Sequence, residues 1–571
     1  MLSVEQALTT KFPRFFEHQP RLVTTPLLKF FRLLFHEREI NQFLSGNSDV
    51  GAFEFVGRVL AYFNFGYTVS NIDHENIPAV GRLVIVANHP LGALDALALI
   101  RMVGEVRRDI KVVANDLLMH LAPLHSLLLP VDNLGASTHR DGIQRISEAL
   151  EREEAVIFFP AGEVSRAGPT GIRDGKWKAG FLRLAVKNGA PLLPLHIDAR
   201  NSVLFYGLSM LYKPLAAVLL VHEMFKQHSK LVHFRVGEPI PVRALQSPGL
   251  TTKTQVRLVR DHLQRIAKGK RGLFVTERAI AHPEERRAIK REIDGAELLG
   301  TTSDGKRIHL FNAAADSALL REIGRLREIT FRAVGEGSGQ RRDLDRYDPY
   351  YRHLVLWDAD ELEVVGAYRI GEAGSIISRQ GLTGLYTHTL FELRDGLMPL
   401  LEQGLELGRS FVQPRYWGSR ALDYLWQGIG AYLKSRPEVR YLFGPVSISN
   451  SYPALAKALL VQLYRSHFGE TTELVAARNP YRIGSREQEM CGRLIGGVDY
   501  DTDFRVVKKQ LAALGSNIPT LYKQYSELCE PGGVRFLDFN IDSAFQECID
   551  GFLLVEVARI KEGKKRRYMN M

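Results

Sequence analysis

Between residues 83 and 236 the chain alternates short apolar, β-branched runs with longer stretches of helical spacing, and this alternation limits the possible folds most strongly. The runs fall at residues 83–87, 110–114, 155–159, 192–197 and 231–236. Helical spacing falls at 93–103, 139–151 and 177–188. Strands this short, interleaved with helices, bury their side chains in a layered α/β domain. A second α/β pattern begins at Lys306, with strands predicted at 306–311, 353–357, 363–370, 441–446 and 534–540. Its helices are predicted at 315–331, 397–408 and 421–434. A chain of 571 residues exceeds what one ordinary core holds. The charge-dense, aromatic-poor segment 262–300 marks the boundary. The expected organisation is an amphipathic helical segment over 1–70, an α/β domain over 71–275 and a linker over 276–295. A second α/β domain follows over 296–558, then a basic tail over 559–571.

Composition excludes several classes. Apolar residues make up 45% and charged residues 24%, values of a globular chain rather than a disordered or fibrous one. No apolar run reaches the length of a membrane span, and the segment 215–221 reads as core. The N-terminus lacks the continuous apolar stretch of a secretory signal. Three cysteines, Cys491, Cys529 and Cys548, show no metal-type spacing, so neither a metal site nor a disulfide framework is expected. Lys and Arg exceed Asp and Glu, 75 to 64, for a net charge of +11, which implies an acidic partner. Over 1–36 five basic residues meet two acidic ones beside Phe12, Phe15, Phe16, Phe30, Phe31 and several leucines. Such a segment suits a bilayer interface, and equally an ordinary amphipathic core helix.

Leu83 to Asp95 is the sharpest local feature. A strand delivers Asn88 and His89 to its C-terminal end, Pro90 and Gly92 turn the chain, and a helix starts near Ala93. A neutral imidazole there can act as general base, with a carboxylate such as Asp95 fixing its tautomer. On one continuous helix His89 and Asp95 would face apart, so they meet only if the turn folds back. Read alone, such a pair is more often a capping imidazole and an ordinary helical carboxylate. After the run 155–159 come Pro160, Ala161, Gly162, Glu163, Val164, Ser165 and Arg166, which can present N–H groups and a guanidinium to an anion or oxyanion.

Together with Lys178-Ala179-Gly180 and the segment 189–195, these motifs resemble the PlsC-like glycerolipid (lysophosphatidic acid) acyltransferases over about 55–240. This sequence has five residues between His89 and Asp95 where that family has four, and Ala161 where it has glutamate. Val131-Asp132-Asn133 is the nearest match to the family's middle motif. The resemblance implies a PlsC-like O-acyltransferase domain in which His89 deprotonates a hydroxyl that attacks an acyl thioester and Asp95 orients His89. It further implies that Asn88, Gly162, Glu163, Ser165 and Arg166 hold the acceptor.

In the second half, Asp343, Asp345, Asp348 and Glu406 can recognise a cationic amine and take its proton before it attacks a thioester. The bland alternative is a solvated acidic loop and a charged strand end. The block Glu406-Leu407-Gly408-Arg409-Ser410-Phe411-Val412 and the segments around it resemble the acyl-ornithine-forming N-acyltransferases over about 295–555. That family is related to the GNAT fold and to acyl-homoserine-lactone synthases. The resemblance implies a GNAT-like domain with Glu406 as a catalytic carboxylate and Asp345, Asp348, Arg369 and Arg409 at substrate-binding positions. Arg415 to Arg420 lies where the GNAT pyrophosphate loop belongs and lacks its intact pattern, which points to acyl carrier protein over acyl-CoA as donor. The glycine run 335–339 follows a helix and reads as a flexible loop, not a nucleotide site. No nucleic-acid module accompanies the basic tail, so an anionic membrane surface is its expected partner.

Both halves together resemble bifunctional ornithine-lipid synthases. That implies N-acylation of ornithine with a 3-hydroxyacyl group, then O-acylation of the lyso-ornithine lipid, peripherally at the cytoplasmic face of a bacterial inner membrane. Two alternatives stand beside it: glycine, glutamine or lysine in place of ornithine, or a non-catalytic, hemolysin-like membrane-binding protein.

Overall fold

The computed structural model describes residues 3–11, 21–114, 121–131, 136–168, 171–211, 213–246, 249–314, 316–470, 472–497 and 499–569. Phe12, Phe15, Phe16, Asp132 and Asn133 lie outside the described residues. The chain divides into two compact units, Met1–Ala281 and His282–Met571.

The first unit opens with helices Val4–Lys11, Arg21–Leu34, Glu37–Ser45 and Ala52–Tyr62. Its main sheet contains β1 (Gly66–Val69), β2 (Leu83–Ala87), β3 (Ile110–Ala114), β4 (Leu128–Pro130), β5 (Ala155–Phe158), β8 (Leu192–Asp198) and β9 (Leu231–Val236). A short hairpin, β6 (Arg166–Gly168) and β7 (Gly171–Arg173), stands apart. The sheet order is β1-β9-β8-β2-β5-β3-β4, parallel throughout except between β8 and β9. β2 is buried along its whole length, which explains its unbroken LVIVA sequence. Leu83, Ile85 and Ala87 face the layer formed by helices Ala52–Tyr62 and Leu94–Val106. Val84 and Val86 face the layer formed by helices Gly180–Lys187 and Thr252–Ala267. Each such aliphatic side chain contributes roughly 1.5–3 kcal/mol on full burial, so the strand carrying Asn88 and His89 at its end is firmly seated.

The second unit holds an eight-stranded sheet: β10 (Glu297–Thr301), β11 (Arg307–Asn312), β12 (Arg352–Asp358), β13 (Glu363–Glu372), β15 (Gly404–Val412), β16 (Tyr441–Ile448), β18 (Val534–Asp542) and β19 (Cys548–Glu556). β14 (Phe391–Leu393) and β17 (Val475–Ala477) form a small separate pair. The order is β10-β11-β12-β13-β15-β16-β19-β18, and every pairing is antiparallel except β15 with β16. Helices Ala421–Ser435 and Ala454–Phe468 bury one set of strand residues. Helix Ala318–Ala333 buries another.

β15 and β16 stay in register only over Gly404↔Tyr441, Leu405↔Leu442 and Glu406↔Phe443, and then part. Gly444 has φ +156°, and a Cβ there would fall 2.0 Å from the carbonyl oxygen of Leu407, so no other residue fits where the strands separate. β15 also bulges against β13. Ala367 pairs with Phe411 and Arg369 with Gly408, which leaves Arg409 and Ser410 opposite one residue. Arg409 takes φ +49° in that bulge.

Three elements differ from the sequence reading. Residues 404–412 form a strand where a helix over 397–408 is expected; the helix Met398–Glu402 stops early because pairing with β13 and β16 outweighs local propensity. The loop 335–339 is clamped rather than free: Glu328 accepts hydrogen bonds from the Ser338 N–H (3.1 Å), the Ser338 hydroxyl (2.8 Å) and the Gly339 N–H (2.8 Å). The basic C-terminus forms a helix, Glu562–Met569, whose Tyr568 is buried against Trp426 and whose Arg567 pairs with Asp423 at 2.8 Å.

Two candidate active sites

In the first unit the site forms at the C-terminal end of β2. Asn88 donates from Nδ2 to the Ile197 carbonyl (2.9 Å) and accepts from the Ile197 N–H at Oδ1 (2.7 Å). Its amide thus carries the β2–β8 ladder one residue further and sets where His89 emerges. The His89 ring stacks on Phe159, with centroids 4.1 Å apart.

Helix Leu94–Val106 starts one residue before Asp95, so His89 lies on the turn rather than on the helix. The turn is gathered by Asp95, which accepts the N–H groups of Leu91 (2.9 Å), Gly92 (3.0 Å) and Ala96 (2.9 Å). His89 Nδ1 lies 3.2 Å from Asp95 Oδ2, an ion-pair distance reached obliquely rather than along a linear N–H···O bond. Nε2 is left as the nitrogen free to face a substrate. Burial works against a charged imidazole, but Asp95 outweighs it and holds His89 above its ordinary value. Burial likewise pushes Asp95 up, and His89 with the backbone N–H groups reverses this and holds it low.

A second clamp was not visible in the sequence. Asp174 accepts the Ser165 hydroxyl (2.6 Å), the Trp177 indole N–H (3.0 Å) and the His89 backbone N–H (3.3 Å). The Ser165 N–H donates to the His89 carbonyl at 2.8 Å. Ser165 therefore braces His89. Asp174 follows β7 in a stretch with no motif around it, and only folding brings it under the histidine. Arg166 pairs with Glu163 at 3.1 Å, and its Nη1 is buried without a hydrogen-bond partner among the described residues. That open donor can meet an anionic or carbonyl oxygen of a substrate. Gly162, at φ +66°, leaves space beside the Lys178 ammonium.

Gly92 has φ +104°, and a Cβ there would stand 2.8 Å from Leu220 Cδ2 and 3.0 Å from Val164 Cγ1. Gly92→Ala is expected to cost roughly 1–3 kcal/mol from backbone strain and to disturb the His89–Asp95 turn. A urea midpoint equal to that of the parent chain would refute this.

In the second unit a buried charge network lies under β13 and β15. Asp348 binds Arg327 Nη1 at 2.7 Å and Arg369 Nη1 at 3.2 Å, and accepts the Asp345 N–H at 2.8 Å. Arg369 also donates to Asp345 at 2.6 Å, and its guanidinium lies over Tyr386 (4.9 Å), Tyr351 (5.2 Å) and Tyr347 (5.8 Å). Its Nη2 is buried without a hydrogen-bond partner among the described residues. Arg409 meets Asp343 at 3.0 Å and Asp345 at 3.6 Å, and donates to the Tyr386 hydroxyl at 3.1 Å. Burial pushes Asp348 up, yet Arg327 and Arg369 outweigh it and hold the carboxyl well below the usual range. Burial pushes Asp343 up despite Arg409.

Glu406 is buried among uncharged donors. The Thr387 N–H (2.6 Å) and hydroxyl both donate to Oε1, and the Tyr351 hydroxyl donates to Oε2. Burial raises Glu406, with those hydrogen bonds and Arg369 pulling the other way. Asp345, Asp348, Arg369 and Arg409 thus converge in one network, and Glu406 reaches it through Tyr351, whose ring lies against Arg369. Arg327, Tyr351, Tyr386 and Thr387 complete it and were not singled out by sequence. Nothing in the sequence sets Arg327 apart from Arg321, Arg325 and Arg332 of the same helix.

A family model described as an acyltransferase matches residues 6–269, and one described as an acetyltransferase (GNAT) domain matches residues 326–427. A glycine N(alpha)-acyltransferase of Bacteroides thetaiotaomicron is 30% identical, over 51% of this chain and 89% of that protein. A lyso-glycine lipid O-acyltransferase of the same organism is 32% identical, over 42% of this chain and 89% of that protein. An L-ornithine N(alpha)-acyltransferase of Brucella abortus is 29% identical, over 25% of this chain and 60% of that protein.

Proposed function

We propose that this chain, which belongs to the acyltransferase families of the lyso-lipid O-acyltransferases and of the GNAT-fold amino-acid N-acyltransferases, makes a diacylated amino-acid lipid in two steps. The second unit joins a 3-hydroxyacyl group to the α-amine of ornithine, and the first unit acylates the 3-hydroxyl of that product. The observation carrying this reading is that one chain covers 89% of a relative of each kind. Glycine is the second reading for the amino acid, favoured by the name of the 30% identical relative.

In the O-acyl step His89 takes the hydroxyl proton, the oxygen attacks the thioester carbonyl, a C–O bond forms and the C–S bond breaks. The imidazolium then protonates the departing sulfur. Asp95 orients and stabilises the imidazolium, and Asp174 with Ser165 fixes the backbone beneath it. Gly162, Glu163, Ser165 and Arg166 frame the acceptor. In the N-acyl step Asp345, Asp348, Glu406, Arg369 and Arg409 shape the amino-acid site.

Acyl carrier protein is the donor this reading favours, since a net charge of +11 suits a strongly acidic partner. No helix among the described residues is long and apolar enough to cross a membrane. Phe30 and Leu33 on helix Arg21–Leu34, 58% and 76% exposed, support a peripheral seat on an anionic bilayer at the cytoplasmic face.

Expression in a host that lacks aminolipids, fed labelled ornithine or glycine, tests the proposal by lipid mass spectrometry. A new diacylated lipid carrying one label is expected and identifies the amino acid. Unchanged lipids under both feeds would refute it.

A further inference from the structure

Two helices of the first unit supply no group to the O-acyl chemistry, yet both are fastened to the turn that carries it. Helix Val203–Leu211 follows β8 and packs on β6; helix Lys213–Phe225 packs on it and on helix Arg21–Leu34. Asn201, just before the first of them, donates from Nδ2 to the Pro90 carbonyl at 3.0 Å, next to His89. The Asn201 N–H donates in turn to the Tyr206 hydroxyl at 3.1 Å. Val164, Phe205 and Tyr206 are buried together, with Leu219 and Leu220 packed against them. Leu220 also lies over Gly92, where it leaves no room for a Cβ.

The two helices read VLFYGLSML and KPLAAVLLVHEMF, with only two charged residues between them, Lys213 and Glu223. A helix apolar on every face belongs in a core or in lipid. The start of the first helix is not in a core, since Val203 is 88% and Leu204 60% exposed. Buried Glu223 ties the end of the second helix to this start, accepting the Ser202 N–H and hydroxyl, each at 2.8 Å. Beside it the His36 ring stacks on Phe225, with centroids 3.8 Å apart. That contact brings in the end of helix Arg21–Leu34, which carries the exposed Phe30 and Leu33. Exposed apolar side chains from segments far apart in sequence therefore gather where three helix ends meet.

A gathered apolar patch on a surface marks a partner, and the charges around it select which. The stretches 27–34 and 198–206 hold three cations, Lys29, Arg32 and Arg200, and one acid, Asp198. All three cations are exposed. Apolar side chains flanked by cations match the headgroup boundary of an anionic bilayer, the apolar groups entering the acyl region and the cations meeting phosphate.

We infer that the rim formed by Val203, Leu204, Phe30 and Leu33 seats on an anionic bilayer, and that the two helices behind it lead the mono-acylated lipid from that bilayer to His89. This rests on the O-acyltransferase reading of the first unit. The acceptor carries a long chain, and moving that chain through water is costly. A site fastened at Pro90 and Gly92 to helices that rest on the bilayer receives the hydroxyl while the chain stays in apolar surroundings.

The test uses the purified full chain with vesicles of phosphatidylethanolamine, with and without phosphatidylglycerol. The parent chain should bind the vesicles containing phosphatidylglycerol more tightly. Val203→Glu with Leu204→Glu is expected to weaken that binding at least about tenfold. It should raise KM for a long-chain N-(3-hydroxyacyl) amino acid carried in the same vesicles by a similar factor. The loss should vanish with a short-chain, water-soluble acceptor assayed without vesicles, which needs no bilayer. Val203→Phe with Leu204→Phe should bind the vesicles at least as tightly as the parent, and it decides the matter if the glutamate chain does not fold. Parental vesicle binding by the glutamate chain, weakened binding by the phenylalanine chain, or weakened binding with an unchanged KM for the vesicle-borne acceptor would overturn the inference. So would a glutamate chain whose defect lies in KM for acyl carrier protein or in dissociation of a dimer, because the rim would then belong to that protein or to a second copy. A parent chain that acylates neither the vesicle-borne nor the soluble acceptor would instead overturn the O-acyltransferase reading.

Discussion

With His89 replaced by alanine, cells should accumulate the mono-acylated N-acyl amino acid in place of the diacylated lipid. In the proposed O-acyl step the imidazole, stacked on Phe159 and set 3.2 Å from Asp95, serves as the base that turns the 3-hydroxyl into a nucleophile. Removing such a group costs about 10²–10⁴-fold in rate. N-acylation should continue, since it belongs to the other unit. The residual rate should also lose its dependence on pH. In the parent chain Asp95 holds His89 above its ordinary value against the effect of burial, and the base must be neutral to act. O-acylation therefore falls as the pH drops through that raised value. Asp95→Asn should move this acidic limb to lower pH while reducing the maximum. Lipid profiles that match the parent chain would remove His89 from the O-acyl step.

Asp348→Ala should destabilise the second unit severely. It leaves Arg327 and Arg369, which are 0% and 1% exposed, without the carboxylate they share. Breaking a buried ion pair from one side costs about 3–5 kcal/mol, because a desolvated charge stays behind. For a unit of this size that corresponds to a fall in Tm on the order of 10 °C. The effect depends on pH with a definite sign. Asp348 is held well below its unfolded value of about 3.9. Its contribution is therefore fully present above that value and is lost as the pH falls toward the depressed one. The gap between variant and parent should be widest near neutrality and shrink in acid. Equal melting temperatures at pH 7 would show that the network relaxes around the loss, contrary to this account.

Much of the fold was legible because burial leaves its mark in local pattern. β2, β3 and β9 fall on the runs that predict them: β2 is covered on both faces and apolar throughout, while β9 alternates buried and exposed residues as a strand covered on one face does. β15 was not legible. Its residues carry charge and glycine, and what makes them a strand is a pair of neighbours distant in the chain, β13 and β16. β19 escaped notice in the same way, its partners being β16 and β18.

The sites divide along the same line. Asn88, His89 and Asp95 lie within eight residues, so a strand, a turn and a helix start are enough to bring them together, and all three are local decisions of the chain. The acyltransferase character and the two-part organisation rest on motifs of that kind. Asp174 beneath His89, Arg327 beside Asp348, and the Thr387 and Tyr351 donors on Glu406 come from segments far apart in sequence. Which carboxylates are neutralised and which stay available depends on burial and on the charges nearby. Those are properties of packing in space, and only the tertiary structure decides them.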